Sequence, residues 1–373
     1  MKAWPALAVV LIQAALLAGH LFVYFTWMAF APQLAPAAAA DLRIAFFALA
    51  FSFITAALLS FRFANPAVRL FYWIASIWLG FLSFFFWASL LIWLAWFALR
   101  LTRLTADPSA LKPLLAALFY IPALLAGIYA LINARMIRTR RYTVRLPNLP
   151  ESWRGRRAVL LSDLHLGAIN GPRFARRIAA RVNQLDPAIV FIPGDLFDGA
   201  HADLDRLLAP LRQMTPPLGT YFSTGNHEEF TDPTHYLEAI ARAGIHVLAN
   251  SLVVVDGVAI AGVLCGDTSS PLHMKAALDG LHLAAAQPAI LLNHAPVRLP
   301  LVEEAGFGLQ LSGHTHGGQF FPFTWMTRRI YGRFTRGLNR FGALEVFTSV
   351  GAGSWGPPMR LGAPPEMVLL TFE

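Results

Sequence analysis

Hydrophobic and polar positions divide the chain into two regions that follow different rules. As far as Asn133 the apolar residues run almost unbroken, and the only charges are Lys2, Asp41, Arg43, Arg62, Arg69, Arg100, Arg103, Asp107 and Lys112. This pattern predicts four membrane-spanning helices, at 4–30, 42–61, 70–99 and 114–132. Each meets or approaches the ~20 apolar residues that cross a bilayer, and the third is long enough to require tilt or an interfacial end. The first is too long for an ordinary signal peptide and three more follow it, so no cleavage is expected.

Further along, short apolar runs alternate with amphipathic stretches. Pro172 opens a helix to about Gln184, with Phe174, Ile178, Val182 and Leu185 on one face and Arg173, Arg176, Arg177 and Arg181 on a solvated one. The stretches 203–214 and 233–243 read as further helices. The runs 253–255 and 258–261 flank Asp256-Gly257, a strong hairpin signal. Later strands are expected at 289–292, 308–311, 344–350 and 367–372. Spacing alone gives an α/β domain.

The 373 residues suffice for two domains, and 56% hydrophobic content with a mean hydropathy of +0.53 excludes a wholly soluble protein. Seven of the ten tryptophans lie in the apolar third, several near span ends, as an aromatic belt requires. Within the first span His20 is ionisable, which raises a functional question. With no acid in the core of any span, a neutral histidine bonded to a neighbouring helix is the preferred reading. The single cysteine, Cys265, excludes an intramolecular disulfide and a Cys-rich zinc site.

Charge separates the regions again. Residues 135–157 carry eight arginines against one acid, Glu151, whereas 158–373 carry 15 Lys and Arg against 18 Asp and Glu. The formal net charge of +9 therefore belongs to a membrane-proximal connector attracted to anionic lipid, and no nucleic-acid partner is expected. The division expected is 1–134 transmembrane, 135–157 basic connector and 158–373 catalytic domain. Flanking cations orient the chain. Lys2, Arg62, Arg69, Arg135, Arg138, Arg140 and Arg141 fall inside against Arg43, Arg100, Arg103 and Lys112 outside, which puts the domain in the cytoplasm.

The chemistry sits where apolar runs end. Asp163-Leu164-His165 follows 158–161, Gly194-Asp195-Leu196-Phe197-Asp198 follows 188–192, and Gly225-Asn226-His227-Glu228 follows 219–222. Asn293-His294 follows 289–292, and Gly313-His314-Thr315-His316-Gly317-Gly318-Gln319 follows 308–311. Strand C-terminal ends are where open α/β sheets gather ligands. A glycine-bounded turn lets the two imidazoles of His-x-His diverge toward neighbouring ions.

At these residues the sequence resembles the calcineurin-like metallophosphoesterases, in particular their bacterial membrane-associated YkuE- and YaeI-like branch. The likeness covers roughly 142–373, including Ser349-Val350-Gly351-Ala352-Gly353 and Pro357-Pro358-Met359-Arg360. It implies a two-sheet αββα sandwich with two divalent ions, drawn from Mn, Fe, Zn or Co. By the family pattern Asp163, His165, Asp195 and His316 hold one ion, and Asp195, Asn226, His294 and His314 the other. Asp195 bridges them and a metal-activated water attacks phosphorus. The pattern makes His227 the non-ligand histidine at the leaving oxygen, with Asp198 and Glu228 orienting ligands. His201, His235, His246, His273 and His282 lack such context and read as ordinary histidines.

Between residues 305 and 344 there is no Asp or Glu, but Arg328, Arg329, Arg333, Arg336 and Arg340 interleave with aromatic residues. This stretch reads either as a membrane-interface element whose Arg328, Arg329 and Arg333 contact substrate, or as a core-packed loop with solvated arginines. The expected protein is an integral protein of a bacterial inner membrane that hydrolyses a phosphodiester or pyrophosphate on a lipid. A soluble nucleotide or cyclic nucleotide substrate is the alternative. A non-enzymatic sensor or transport component is disfavoured because no expected ligand is missing. The oligomeric state is not encoded legibly.

Overall fold

The computed structural model describes residues 3–103, 106–199 and 202–373; Lys2 and His201 lie outside them. By its contacts the chain forms two units, 1–132 with 356–359, and 133–355 with 360–373.

The first unit is helical. Helices α1 (Ala3–Phe30), α2 (Pro36–Arg62), α3 (Pro66–Thr102) and α4 (Lys112–Asn133) are each long and apolar enough to cross a membrane. They start earlier than the apolar runs alone indicate, because α2 and α3 open on proline, whose fixed φ suits a first helical turn. The Asn65 side chain caps α3 by accepting from the Val68 amide at 2.9 Å. Phe30, Ala88, Ile92, Trp96, Leu115 and Tyr120 pack α1, α3 and α4 together. Trp78 Nε1 donates to His20 Nε2 at 2.8 Å, and Nδ1 sits 2.7 Å from the Leu16 carbonyl. Indole only donates, so His20 carries its proton on Nδ1 and is a neutral histidine with both nitrogens satisfied. That is the preferred sequence reading.

The second unit is a sandwich of two six-stranded sheets. In the first sheet β1 (Arg138–Val144), β2 (Arg157–Leu160), β3 (Ile189–Pro193), β4 (Thr220–Ser223) and β5 (His246–Val247) join β12 (Glu366–Phe372), in the order β1-β12-β2-β3-β4-β5. The second comprises β6 (Ser251–Val255), β7 (Val258–Gly262), β8 (Ala289–Leu292), β9 (Leu309–Ser312), β10 (Gly337–Phe341) and β11 (Leu344–Thr348), in the order β10-β11-β9-β8-β7-β6. Asp256-Gly257 turns the β6–β7 hairpin as expected. Strands β2, β3 and β4 run parallel side by side, as do β7, β8 and β9.

Alternation along each strand builds the layers. In β3, Ile189 and Phe191 enter the core between the sheets, while Val190 and Ile192 face helices α5 (Pro172–Leu185), α6 (Leu204–Leu208) and α7 (Thr234–Arg242). In β8, Ile290 and Leu292 face inward, while Ala289 and Leu291 meet α8 (Pro271–Asp279) and α9 (Leu299–Glu304). Two differences from the sequence reading stand out. The basic segment 135–157 supplies β1, which pairs in parallel with β12. The helix expected over 203–214 ends at Leu208, because Pro210 offers no amide to continue it, and a separate 3-10 turn follows at Leu211–Gln213.

Candidate metal centre

Strands β2, β3, β4, β8 and β9 each end two or three residues before a residue that the sequence marks as a metal ligand. Leaving the strand, the backbone turns left-handed at the ligands themselves: Asp163 has φ 52°, His165 45°, Asp195 51°, His314 68° and His316 49°. A side chain there costs about 1–3 kcal/mol, a strain that gathers at functional sites. Asp and His are among the residues that tolerate it. The turns are stitched together: the His165 amide donates to the Asp195 carbonyl at 3.1 Å and the Gly313 amide to that of His294 at 2.8 Å. Glu228, fully buried, accepts from the amides of Asp195 (3.0 Å), Phe197 (2.9 Å) and Gly225 (2.8 Å). Gly225 has to be glycine, since a Cβ would run into the Asp195 carboxylate and amide.

The side chains converge. One donor atom each from Asp163, His165 and His316 lies within 4.8 Å of the others, and so do those of Asp163, Asp195 and His294. His165 Nε2 is 2.9 Å from His316 Nε2, which lies 3.5 Å from Asp163 Oδ1. Asp195 Oδ2 stands between the two halves, 3.7 Å from His165 Nε2 and 3.2 Å from His294 Nε2. His314 Nδ1 lies 2.9 Å from Asn226 Oδ1, and its ring centroid 5.0 Å from that of His294. All seven ligands expected from the sequence are thus in one place.

Electrostatics fits cation binding. Burial drives His165 down to about 3 and His314 down to about 4, and burial helped by the Arg360 charge drives His316 well below its ordinary value. These are neutral imidazoles, the form that ligates metal. Burial raises Asp163 to about 6. It would raise Asp195 as well, but the charge and hydrogen bond of His294 hold that carboxyl below the usual range. For His294 burial opposes charging, yet Asp195 pushes it up to about 10. The buried Nδ1 of His165 has no hydrogen-bond partner. Two carboxylates, an amide oxygen and four imidazoles held so close, with nitrogen facing nitrogen at 2.9 Å, are a donor set that suits divalent ions between them.

The residues around the ligands take more varied parts. His294 Nδ1 meets the Pro193 carbonyl at 2.8 Å, leaving Nε2 for the cluster. His227 joins His165 and Asp195 in a third 4.8 Å group, its amide on Asp195 Oδ1 and its Nδ1 on the Asp198 main-chain carbonyl, both contacts at 3.0 and 2.9 Å respectively. Asp198 therefore orients His227 through its backbone, while its carboxylate accepts from the Ala168 amide at 2.8 Å. Glu228 braces the turns rather than a ligand ring. Arg328, Arg329 and Arg333 are exposed, Arg329 lying over Trp325 and Arg333 over Phe334. Among the described residues no hydrogen bond or ion pair joins them to the cluster. His246 stacks on Tyr221, and His235 contacts the Asp232 carbonyl.

Sequence reasoning missed Arg360 and Trp355. Arg360 is fully buried and grips His316, and the exposed Trp355 lies edge-on to His227, its centroid 6.1 Å away. The Gln319 amide brackets the Trp355 main chain, donating to its carbonyl at 2.8 Å and accepting from its amide at 3.1 Å. Arg360 closes the stretch Pro357-Pro358-Met359-Arg360, noted for its likeness but given no role, while Trp355 lies between the noted stretches and carried no signal.

Residues 156–318 match the family described as calcineurin-like phosphoesterase. The chain is 36% identical over 272 residues to a zebrafish (Danio rerio) transmembrane protein with metallophosphoesterase domain, covering 68% of this chain and 61% of that one. To an uncharacterized metallophosphoesterase of Campylobacter jejuni it is 32% identical over 252 residues, 66% of each chain. To one of Aquifex aeolicus it is 30% identical over 257 residues, 67% of this chain and 97% of the other. The chain spans less than two thirds of the zebrafish and Campylobacter proteins it matches.

Proposed function

Because the chain belongs to the calcineurin-like metallophosphoesterases, we propose that it is a membrane-anchored hydrolase of phosphodiester or pyrophosphate bonds, with a lipid as its substrate. The observation that carries the reading is the seven-ligand cluster at the strand ends of a chain with four apolar helices. Asp163, His165, Asp195 and His316 would hold one divalent ion, and Asp195, Asn226, His294 and His314 a second, with Asp195 between them. When bound, such a pair supplies positive charge to phosphoryl oxygens and lowers the pKa of water.

The rest is the work of the chain's own groups. His227, whose Nδ1–H donates to the Asp198 carbonyl, carries a transferable proton on Nε2 only as the imidazolium, and in that form gives it to the leaving oxygen and is left as the neutral imidazole. Asn226 contributes an oxygen without charge, which leaves the site attractive to an anionic substrate. Glu228 and Arg360 fix the turns so that the ligands keep their places before any ion arrives. The cations flanking the apolar helices favour a cytoplasmic catalytic domain in a bacterial inner membrane.

The test is turnover by the detergent-solubilised full-length protein on a panel of lipid phosphodiesters, lipid pyrophosphates, nucleotides and cyclic nucleotides. Lipid esters are expected to be cleaved with the highest kcat/KM. A preference for nucleotides would reduce the helices to an anchor and overturn the lipid reading.

A further inference from the structure

Helix α10 (Phe323–Tyr331), four residues beyond Gln319, is packed inside out. Thr324, Thr327 and Tyr331, at i, i+3 and i+7, are its half-buried positions. Phe323, Met326 and Ile330, with the same spacing, are exposed by 47%, 42% and 68%. An ordinary surface helix turns its apolar stripe to the core and its threonines to water. Phe321, just before the helix, and Trp325, on its adjoining exposed flank under Arg329, add apolar surface exposed by 49% and 55%, and no residue of the helix is buried. Scattered exposed apolar side chains need no explanation, but a contiguous stripe with polar residues turned inward does.

The same element is rich in cations and has no acid. Arg328, Arg329 and Arg333 are exposed beside the stripe, and the Arg329 guanidinium lies 5.3 Å from the Trp325 ring centroid. Aromatic and aliphatic residues on one side with arginines beside them match the chemistry of an interfacial helix on anionic lipid, buried by about 5–10 Å at the headgroup boundary. A protein partner of acidic surface would meet the arginines but leave the stripe uncovered. The four apolar helices of this chain already commit it to a bilayer.

Helix α10 is also fastened to the metal turn. The Tyr331 ring meets that of His314 edge-on at 6.0 Å, and Thr315 Oγ1 donates to the Thr335 carbonyl at 2.7 Å. Gly318, at φ 77°, lies so close to the Phe323–Thr324 backbone that a Cβ would collide with it.

We propose that α10, through Phe321, Phe323, Trp325, Met326 and Ile330 with Arg328, Arg329 and Arg333 as its cationic fringe, seats in the interface of an anionic bilayer and holds the turn of His314 and His316 against that surface. The proposal deepens the lipid reading above and rests on its membrane anchoring, not on its chemistry. The arginines read from the sequence as substrate contacts become contacts with the surface in which the substrate lies.

The test uses the full-length chain in nanodiscs of phosphatidylcholine and phosphatidylglycerol. Cys265→Ala removes the native thiol; only the Cys265 amide is bonded to Thr224 and Glu229, so those bonds remain. A spin label is then placed at Ile330→Cys, at Trp325→Cys, or at the control Leu272→Cys on α8, which is 74% exposed. Collision with oxygen and with a water-soluble nickel chelate is read by electron paramagnetic resonance. Expected at 325 and 330 is an oxygen-to-nickel ratio several-fold above that at 272. Equal ratios would place the helix in water and overturn the proposal. Low accessibility to both reagents would mean cover by protein, such as a second copy of the chain, and overturn it too. Because no turnover is measured, either failure leaves the hydrolase reading to its own assay.

Discussion

Arg360 donates from Nη1 to the main-chain carbonyl of His316 at 2.8 Å and from Nη2 to its Nδ1 at 2.9 Å. It also reaches the carbonyls of Val350, Ala363 and Gly353. One buried guanidinium therefore sets both the backbone and the ring of a ligand residue. An ammonium cannot span this fork. Arg360→Lys is expected to keep the fold but lower retained metal and turnover together. Arg360→Ala, which strands several buried carbonyls at about 1–3 kcal/mol each, should lower the melting temperature as well. Elemental analysis beside thermal denaturation checks both; a Lys variant with full metal and full turnover would remove the positioning role.

Glu228 supports the neighbouring turns in the same way. Glu228→Gln replaces an acceptor oxygen by an amide that faces backbone N–H donors, leaving at least one unsatisfied at about 1–3 kcal/mol. The variant should melt earlier and bind ions more weakly. Unchanged melting would mean that the turns hold without this carboxylate.

The cluster accounts for what could be read in advance. Apolar runs that end in Asp, Asn or His marked β2, β3, β4, β8 and β9, because buried strands need both faces apolar and their ends need polar turn residues. Strand β1 escaped notice because Arg138, Arg140 and Arg141 hide a strand that pairs with β12 along one edge only. Helix α10 read as a loop or interfacial stretch because its apolar spacing does not reveal which face turns inward. The contacts of Arg360 could not be foreseen, since a buried arginine held by four separate backbone carbonyls leaves no local pattern.

His227→Ala is expected to cut turnover by ~10²–10⁴ while metal content stays the same. The loss should be smaller for nitrophenolate esters, whose leaving group needs no proton. Steady-state kinetics on paired good and poor leaving groups decides it: an equal loss on both would assign His227 to charge stabilisation, and loss of metal would make it a ligand.

His294 makes ion binding depend on pH. Its folded pKa, about 10, stands above the ordinary 6.5, so its proton stabilises the metal-free fold below 6.5 and is lost only as pH rises through 10. An incoming ion has to displace that proton. Ion affinity should therefore rise with pH, with about one proton released per chain near pH 7.5. Calorimetry in buffers of different ionisation enthalpy measures the release; none at pH 7.5 would mean that His294 is neutral before the ion binds.

The account stands or falls on two ions held through Asp195. The direct measurement is metal content by elemental analysis together with phosphodiester turnover, on the purified full-length chain and on Asp195→Asn. The native protein should carry about two divalent ions per chain, lose turnover on chelation and regain it when ions are restored. The variant should fold, bind ions poorly and turn over orders of magnitude more slowly. A native chain that hydrolyses phosphodiesters at full rate without divalent ions, or a variant with full metal content and normal turnover, would contradict it.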